Sequence, residues 1–137
     1  MPRAPQVVTV GHAIVDVLSP VADEVVAGLG LDKGTMTLVD DATATEINDR
    51  FAEPTAVSGG SAANTAVGLA ALGTATAFVG KVADDRFGSV FASDIRAAGV
   101  SFDVPPGPVG EGRAGTGRCM VMVTPDAEKT MCTYLGV

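Results

Sequence analysis

Ser58-Gly59-Gly60-Ser61-Ala62-Ala63-Asn64-Thr65-Ala66-Val67-Gly68-Leu69-Ala70-Ala71-Leu72-Gly73 changes character abruptly, from a diglycine to an Ala-rich run. The run predicts a helix from Ser61 to Leu72, about 18 Å long at 1.5 Å per residue, that Gly73 can end. Small residues cover most of its faces, so another backbone can come close, and the helix is expected to be buried. The two glycines ahead of it expose backbone N–H groups at a helix mouth and permit a ligand to lie against the main chain. Asn64, one turn in, can donate and accept toward the same spot. Two readings stand side by side: a ligand-gripping turn, or a tight turn followed by an interior Asn satisfied by backbone.

Upstream, Val7-Val8-Thr9-Val10 is a short β-branched run closed by Gly11, which suits a buried parallel strand and is read as the first core strand. Ala13-Ile14-Val15-Asp16-Val17-Leu18 is apolar but for one carboxylate, and Ser19-Pro20 is expected to break it before an amphipathic stretch around Asp23 to Leu29. Thr35 to Val39 alternates like a half-exposed strand, and Asp40-Asp41 offers an N-cap to a helix running to about Phe51. Downstream, Ala75 to Gly80 is the second core strand. Asp84 or Asp85 starts a helix with Phe87, Val90, Phe91 and Ile95 on one face. A short strand is expected near Ser101 to Val104, then a Pro/Gly-rich loop from Pro105 to Gly117. Arg118 to Val123 and Lys129 to Tyr134 read as a hairpin closed by a Pro-Asp turn.

This order implies an α/β sheet with an additional small β layer. The sequence closes at Leu135-Gly136-Val137, straight after a strand. A parallel sheet needs helices on both faces, so a truncated, incomplete sheet is expected.

At 137 residues the chain holds one core or part of one. Nine basic residues against 16 acidic give a net charge of −7, which argues against a nucleic-acid partner. With 47% apolar residues but five Phe, one Tyr and no Trp, the core must be built from Ala, Val, Leu and Gly, and disorder is excluded. The start, Met-Pro-Arg-Ala-Pro-Gln, runs into an apolar stretch too short for an export signal. No apolar run reaches the length of a membrane span. Cys119 and Cys132 are too few for a disulfide scaffold and too far apart for a CxxC site. Buried reduced thiols and a cytoplasmic location are expected.

Familiar phosphate and metal motifs are missing. Gly11-His12-Ala13-Ile14-Val15-Asp16 lacks the spaced glycines of a dinucleotide turn, and no GxxxxGK[ST] loop occurs. The only histidine is His12, with no Cys/His cluster around it, so no metal site is expected.

Taken together, Asp16, the Gly59-Gly60-Ser61-Ala62-Ala63-Asn64-Thr65-Ala66 stretch with Leu72-Gly73 and Gly80, Gly80-Lys81-Val82-Ala83-Asp84-Asp85-Arg86-Phe87-Gly88, and Gly115-Thr116-Gly117 resemble the ribokinase-like (PfkB) family of carbohydrate and nucleoside kinases. The resemblance runs from Val7 to Val137. Asp16-Val17-Leu18, Thr124-Pro125-Asp126 and Lys129 through Gly136 look most like the adenosine-kinase-like branch.

The resemblance implies an incomplete Rossmann-like parallel sheet with a small β lid, formed by strands near Val17, Met36, Met120 and Thr133. It also implies transfer of the γ-phosphoryl of ATP, with Mg2+, to a hydroxyl of a sugar or nucleoside. On that footing Asp16 accepts hydrogen bonds from two ribose-type hydroxyls, a task suited to an acceptor that is left unpaired by a deoxy analogue. Gly59 and Gly60 form the hinge and sugar-facing turn, with Ser61 close by and Asn64 bonding a ring hydroxyl. Ile14, Met36 and Met131 wall the base or sugar. His12 is either a substrate contact or a structural histidine. Lys129, ahead of Lys81, is the basic residue that could face the transferred phosphate.

The family's second signature, a Gly-Ala-Gly-Asp stretch carrying the general base, is missing from these residues. Residues 1–137 are therefore expected to form the N-terminal, substrate-binding and lid portion of a kinase domain, without most of the ATP site and inactive alone. Two further classes remain open: a binding module for a sugar or nucleoside, and a lid fragment whose strand edges pair two copies.

Overall fold

The computed structural model describes residues 4–137; Met1–Arg3, part of the stretch read for an export signal, lie outside the described residues. Two sheets divide the molecule. The base is a parallel pair, β1 (Val7–Val10) beside β5 (Thr76–Val79), in register Val7 to Thr76 and Val10 to Val79. The lid has five strands in the order β3-β7-β6-β2-β4, namely β3 (Met36–Leu38), β7 (Lys129–Tyr134), β6 (Gly117–Val123), β2 (Ile14–Pro20) and β4 (Thr55–Gly59). β6 and β7 form the expected hairpin, while β2 runs parallel to β6 and antiparallel to β4.

Local sequence sets the helices. Helix α1 (Asp23–Gly28) follows β2, and α2 (Asp41–Asp49) starts at Asp40, whose carboxylate accepts the Thr43 N–H at 2.8 Å. Helix α3 (Ser61–Ala71) begins at Gly60, and Gly73 follows it in the left-handed region at φ 87°. Asp85 is the cap of α4 (Arg86–Ala97), accepting the Gly88 N–H at 2.8 Å. Among the described residues no helix is long and apolar enough to cross a membrane.

The core is continuous beneath both sheets. Phe78 of β5, Phe91 of α4 and Phe102 meet with ring centroids 5.4–5.8 Å apart. Val15, Val17, Met120, Met122 and Cys132, on the inner face of the lid, join Val26, Ala44 and Ile47 of α1 and α2. Cys119 and Cys132 are buried free thiols, as expected.

Several expectations change. Ser19 and Pro20 do not break β2. The strand continues through them and Pro20 ends it opposite Val123, where a missing N–H costs nothing. β4 was not foreseen, because Thr55-Ala56-Val57-Ser58 carries little apolar pattern; its pairing with β2 makes it a strand. The segment near Ser101 contributes one parallel bridge to Ala77 and no full strand. α3 is only partly buried: Ala63 and Ala66 are covered, whereas Ser61, Asn64 and Thr65 are exposed. β1, read as a core strand, leaves Val8 and Val10 51% and 72% exposed, since among the described residues no element covers that face of the two-stranded base.

Candidate functional site

Register decides which residues of the lid look outward together. Asp16 lies opposite Cys119 on β6 and Val57 on β4, Cys119 lies opposite Thr133, and Thr133 opposite Leu38. The adjacent row on the same face is Met36, Met131, Val121 and Leu18, and the row on the other side holds Ile14 between Gly117 and Gly59. The outer face of the lid is therefore a broad apolar floor, with Ile14, Cys119 and Val121 buried and Met36 and Leu38 more than half exposed. Asp16 is its one carboxylate.

Asp16 is held by shape rather than by donors. Its carboxylate rests over the α-carbon of Gly59, so that a Cβ added there would come within 2.5 Å of Cγ and 2.7 Å of Oδ1. Burial raises the Asp16 carboxyl above its usual range, and the positive charge of Lys129 draws it partly back. Among the described residues no hydrogen bond contributes to that balance. The outcome is a half-buried acceptor with its bonding capacity free, beside an apolar floor. Burial raises the Cys119 thiol above its usual range, the Thr133 hydroxyl donating to Sγ at 3.3 Å draws it partly back, and the Asp16 charge adds to the rise.

Glycines let the lid meet the base closely. Gly60 turns at φ 96°, and a Cβ there would lie 2.9 Å from the carbonyl oxygen of His12 and 3.6 Å from Ile14. Gly11 faces Ala62 of α3 at a distance that leaves no room for a side chain. The third connection is pinned by Asp85, whose carboxylate accepts the Thr116 N–H at 2.9 Å and the Thr116 hydroxyl at 2.7 Å. Thr116 in turn accepts the Ala83 N–H at 2.9 Å. The segment Gly115-Thr116-Gly117 is thus tied to the start of α4.

Asp16, Ile14, Gly59 and Gly60 are brought into contact, and Met36, Met131 and Lys129 share the lid face with Asp16. Ser61 and Asn64 follow on the exposed side of the first turn of α3, which has no side-chain cap. His12 abuts Gly60 through its carbonyl oxygen and also lines a cleft of about 430 Å³ at the carboxyl end of β1 and β5, with Val10, Val79, Gly80 and Lys81. Lys81 donates to the Pro105 carbonyl oxygen at 2.7 Å. Cys119 and Val121 were not foreseen as part of this floor, because Arg118 to Val123 is apolar on both parities apart from Arg118 and only register assigns the faces.

A five-stranded β lid packed closely through glycines onto a parallel α/β base is a ribokinase-like fold. The family described as pfkB family carbohydrate kinase matches residues 5–137. The adenosine kinase of Sinorhizobium meliloti superposes with TM-score 0.85 at 42% identity, over 98% of this chain and 40% of that one. A probable sugar kinase from Rhizobium etli CFN 42 gives TM-score 0.83 at 41% identity, over 100% and 40%. Fructokinase-1 of Oryza sativa subsp. japonica is 38% identical over 76 residues, 56% of this chain and 23% of that protein. The chain belongs to the pfkB family of carbohydrate kinases. It spans 40% of the length of the two structural relatives.

Proposed function

We propose that this chain is the substrate-gripping and lid portion of a kinase that phosphorylates a hydroxyl of a nucleoside of the adenosine type. The supporting observation is the Asp16 carboxylate, seated on Gly59 without a donor of its own beside a wide apolar floor. In this reading two neighbouring sugar hydroxyls donate to Asp16, and Asn64 and the first-turn N–H groups of α3 fix the ring from the base side. Ile14, Leu18, Val121, Met131 and Met36 give a flat base an area that a lone hexose would not cover. The 42% identical adenosine kinase favours the same substrate class, while the rice fructokinase keeps a plain sugar as the alternative.

In this reading the ATP–Mg2+ site is completed by residues outside this set, since Mg2+ is held by one or two carboxylates together with the phosphates themselves, and Lys81 is committed to a backbone carbonyl. Lys129 remains as a point charge near the lid face. The chain thus binds, orients and shields its acceptor, and phosphoryl transfer, which depends on charge and position around the phosphates, needs residues outside this set. The second reading, pairing of two copies through lid strand edges, would use β3 or β4, the outer strands of the lid.

Calorimetry with adenosine, ribose and fructose, alongside an ATP-consumption assay, tests the proposal. Binding of adenosine that is strongly weakened in Asp16→Asn, and no turnover, is expected. Turnover by the chain alone refutes the inactivity, and silence with every ligand in a folded sample refutes the gripping role.

A further inference from the structure

Four methionines lie among the described residues, and the fold sorts them by face. Met120 and Met122 point into the core at 0% exposure, while Met36 and Met131 stand side by side on the outer face of the lid. Met36 is 54% exposed and Met131 half-buried. β3, which carries Met36, is an edge strand bonded to β7 alone, and all three of its residues are exposed. Solvent therefore reaches the Met36 thioether from the open edge as well as from above, whereas Val121, further along the same row, is buried. The other two sulfurs near this lid are shielded, because Cys119 and Cys132 are buried. Burial also raises both thiols, which disfavours the thiolate that reacts with oxidants. A thioether needs no deprotonation to react, so access alone selects its site.

We infer that Met36 is the oxidation site of the lid, converted reversibly to the sulfoxide by hydrogen peroxide, and that the change loosens the lid's grip on a flat ligand. In the step, the sulfur lone pair attacks one peroxide oxygen and the O–O bond breaks. The sulfur is oxidised by two electrons, the peroxide is reduced, and the proton of the transferred oxygen leaves with the other oxygen as water. A methionine sulfoxide reductase reverses the change, releasing the oxygen as water while a dithiol becomes a disulfide. The sulfoxide sets a polar, chiral group on a floor where Met131, Val121 and Leu38 offer it no side-chain donor. A base laid on that floor must then strip water from the new oxygen without replacing its hydrogen bonds. The change stays local, because an exposed edge residue can turn polar without disturbing the core, whereas oxygen on Met120 or Met122 would have to enter it. The loss of grip rests on the function proposed above; the choice of oxidation site does not.

The test is limited hydrogen peroxide treatment of the 137-residue chain, followed by peptide mapping in a mass spectrometer, with calorimetry of adenosine binding before and after. Sulfoxide is expected at Met36 at least about tenfold faster than at Met120 or Met122, with the circular dichroism spectrum unchanged. Adenosine affinity should fall about tenfold, as expected for losing one apolar contact, and return after treatment with a methionine sulfoxide reductase and a dithiol. Saturating adenosine should slow oxidation of Met36. Met36→Leu should bind equally before and after peroxide, and Met131→Leu, which keeps Met36, should remain sensitive. Should Met36→Leu not fold, the reductase reversal and Met131→Leu decide. Met120 or Met122 oxidised as fast as Met36, a cysteine oxidised first, affinity unchanged at full Met36 oxidation, or a loss that persists in Met36→Leu overturns the inference. An untreated chain that binds no adenosine removes the proposed function and with it the loss of grip, while the oxidation map still decides the site. Adenosine binding that Met36 oxidation leaves intact does the reverse.

Discussion

Burial without a donor raises the Asp16 carboxyl, so in the folded chain its ionised form is held less favourably than in water. A carboxyl whose folded pKa lies above 3.8 costs stability once pH passes the unfolded value, and in full above the folded one. Asp16→Asn is therefore expected to raise the melting midpoint at pH 7 while weakening adenosine affinity roughly 10- to 100-fold, the worth of hydrogen bonds to a charged group. Thermal melts and calorimetry on one sample read both effects, and a lowered midpoint would contradict the account. Gly59→Ala reaches the same carboxylate from below. Its Cβ would sit 2.5 Å from Asp16 Cγ, so it should displace the acceptor, costing about 1–3 kcal/mol of stability by overpacking together with the binding. Asp16 was legible as the odd carboxylate in an apolar run; its perch on Gly59 was not, because β4 was not foreseen.

At the scale of elements, β6 is fastened to α2 and α4 through Arg118, only 6% exposed. Its guanidinium donates to Asp41 Oδ1 and to the Thr45 hydroxyl, each at 2.7 Å, and lies over the rings of Phe87 and Tyr134 at 5.5 and 5.2 Å. Removing the carboxylate strands a buried cation, so Asp41→Ala should cost about 1–3 kcal/mol although Asp41 itself is exposed. Arg118→Met, which keeps the volume and removes the charge, should cost less. Chemical denaturation of the two variants ranks them. The β6–β7 turn is governed differently. Lys33 and the Thr124 hydroxyl hold the Asp126 carboxyl down to about 2, so its stabilisation is complete above about 4 and is lost as pH falls through about 2. An NMR titration of Asp126 should show that low midpoint, and Lys33→Ala should return it toward 3.8.

For the whole molecule, the Phe78–Phe91–Phe102 cluster joins β5, α4 and the segment that bridges to Ala77. Phe91→Ala should cost about 3–5 kcal/mol, a large share of the marginal stability of a domain this size, and should be seen as loss of cooperative melting. The sequence alone determined the features that act over a few residues. Asp40 and Asp85 cap their helices, Gly73 ends α3 and the Pro-Asp turn closes a hairpin, because caps and turns are satisfied by neighbours along the chain. Tertiary structure decided the rest. Side chains alternate along a strand, so Cys119 and Met131 acquire a common face with Asp16 only when β2 meets β6 and β7 in a particular register. The apolar residues of β1 likewise promise burial on two sides, and whether Val8 and Val10 are covered depends on which layers are present to pack on them.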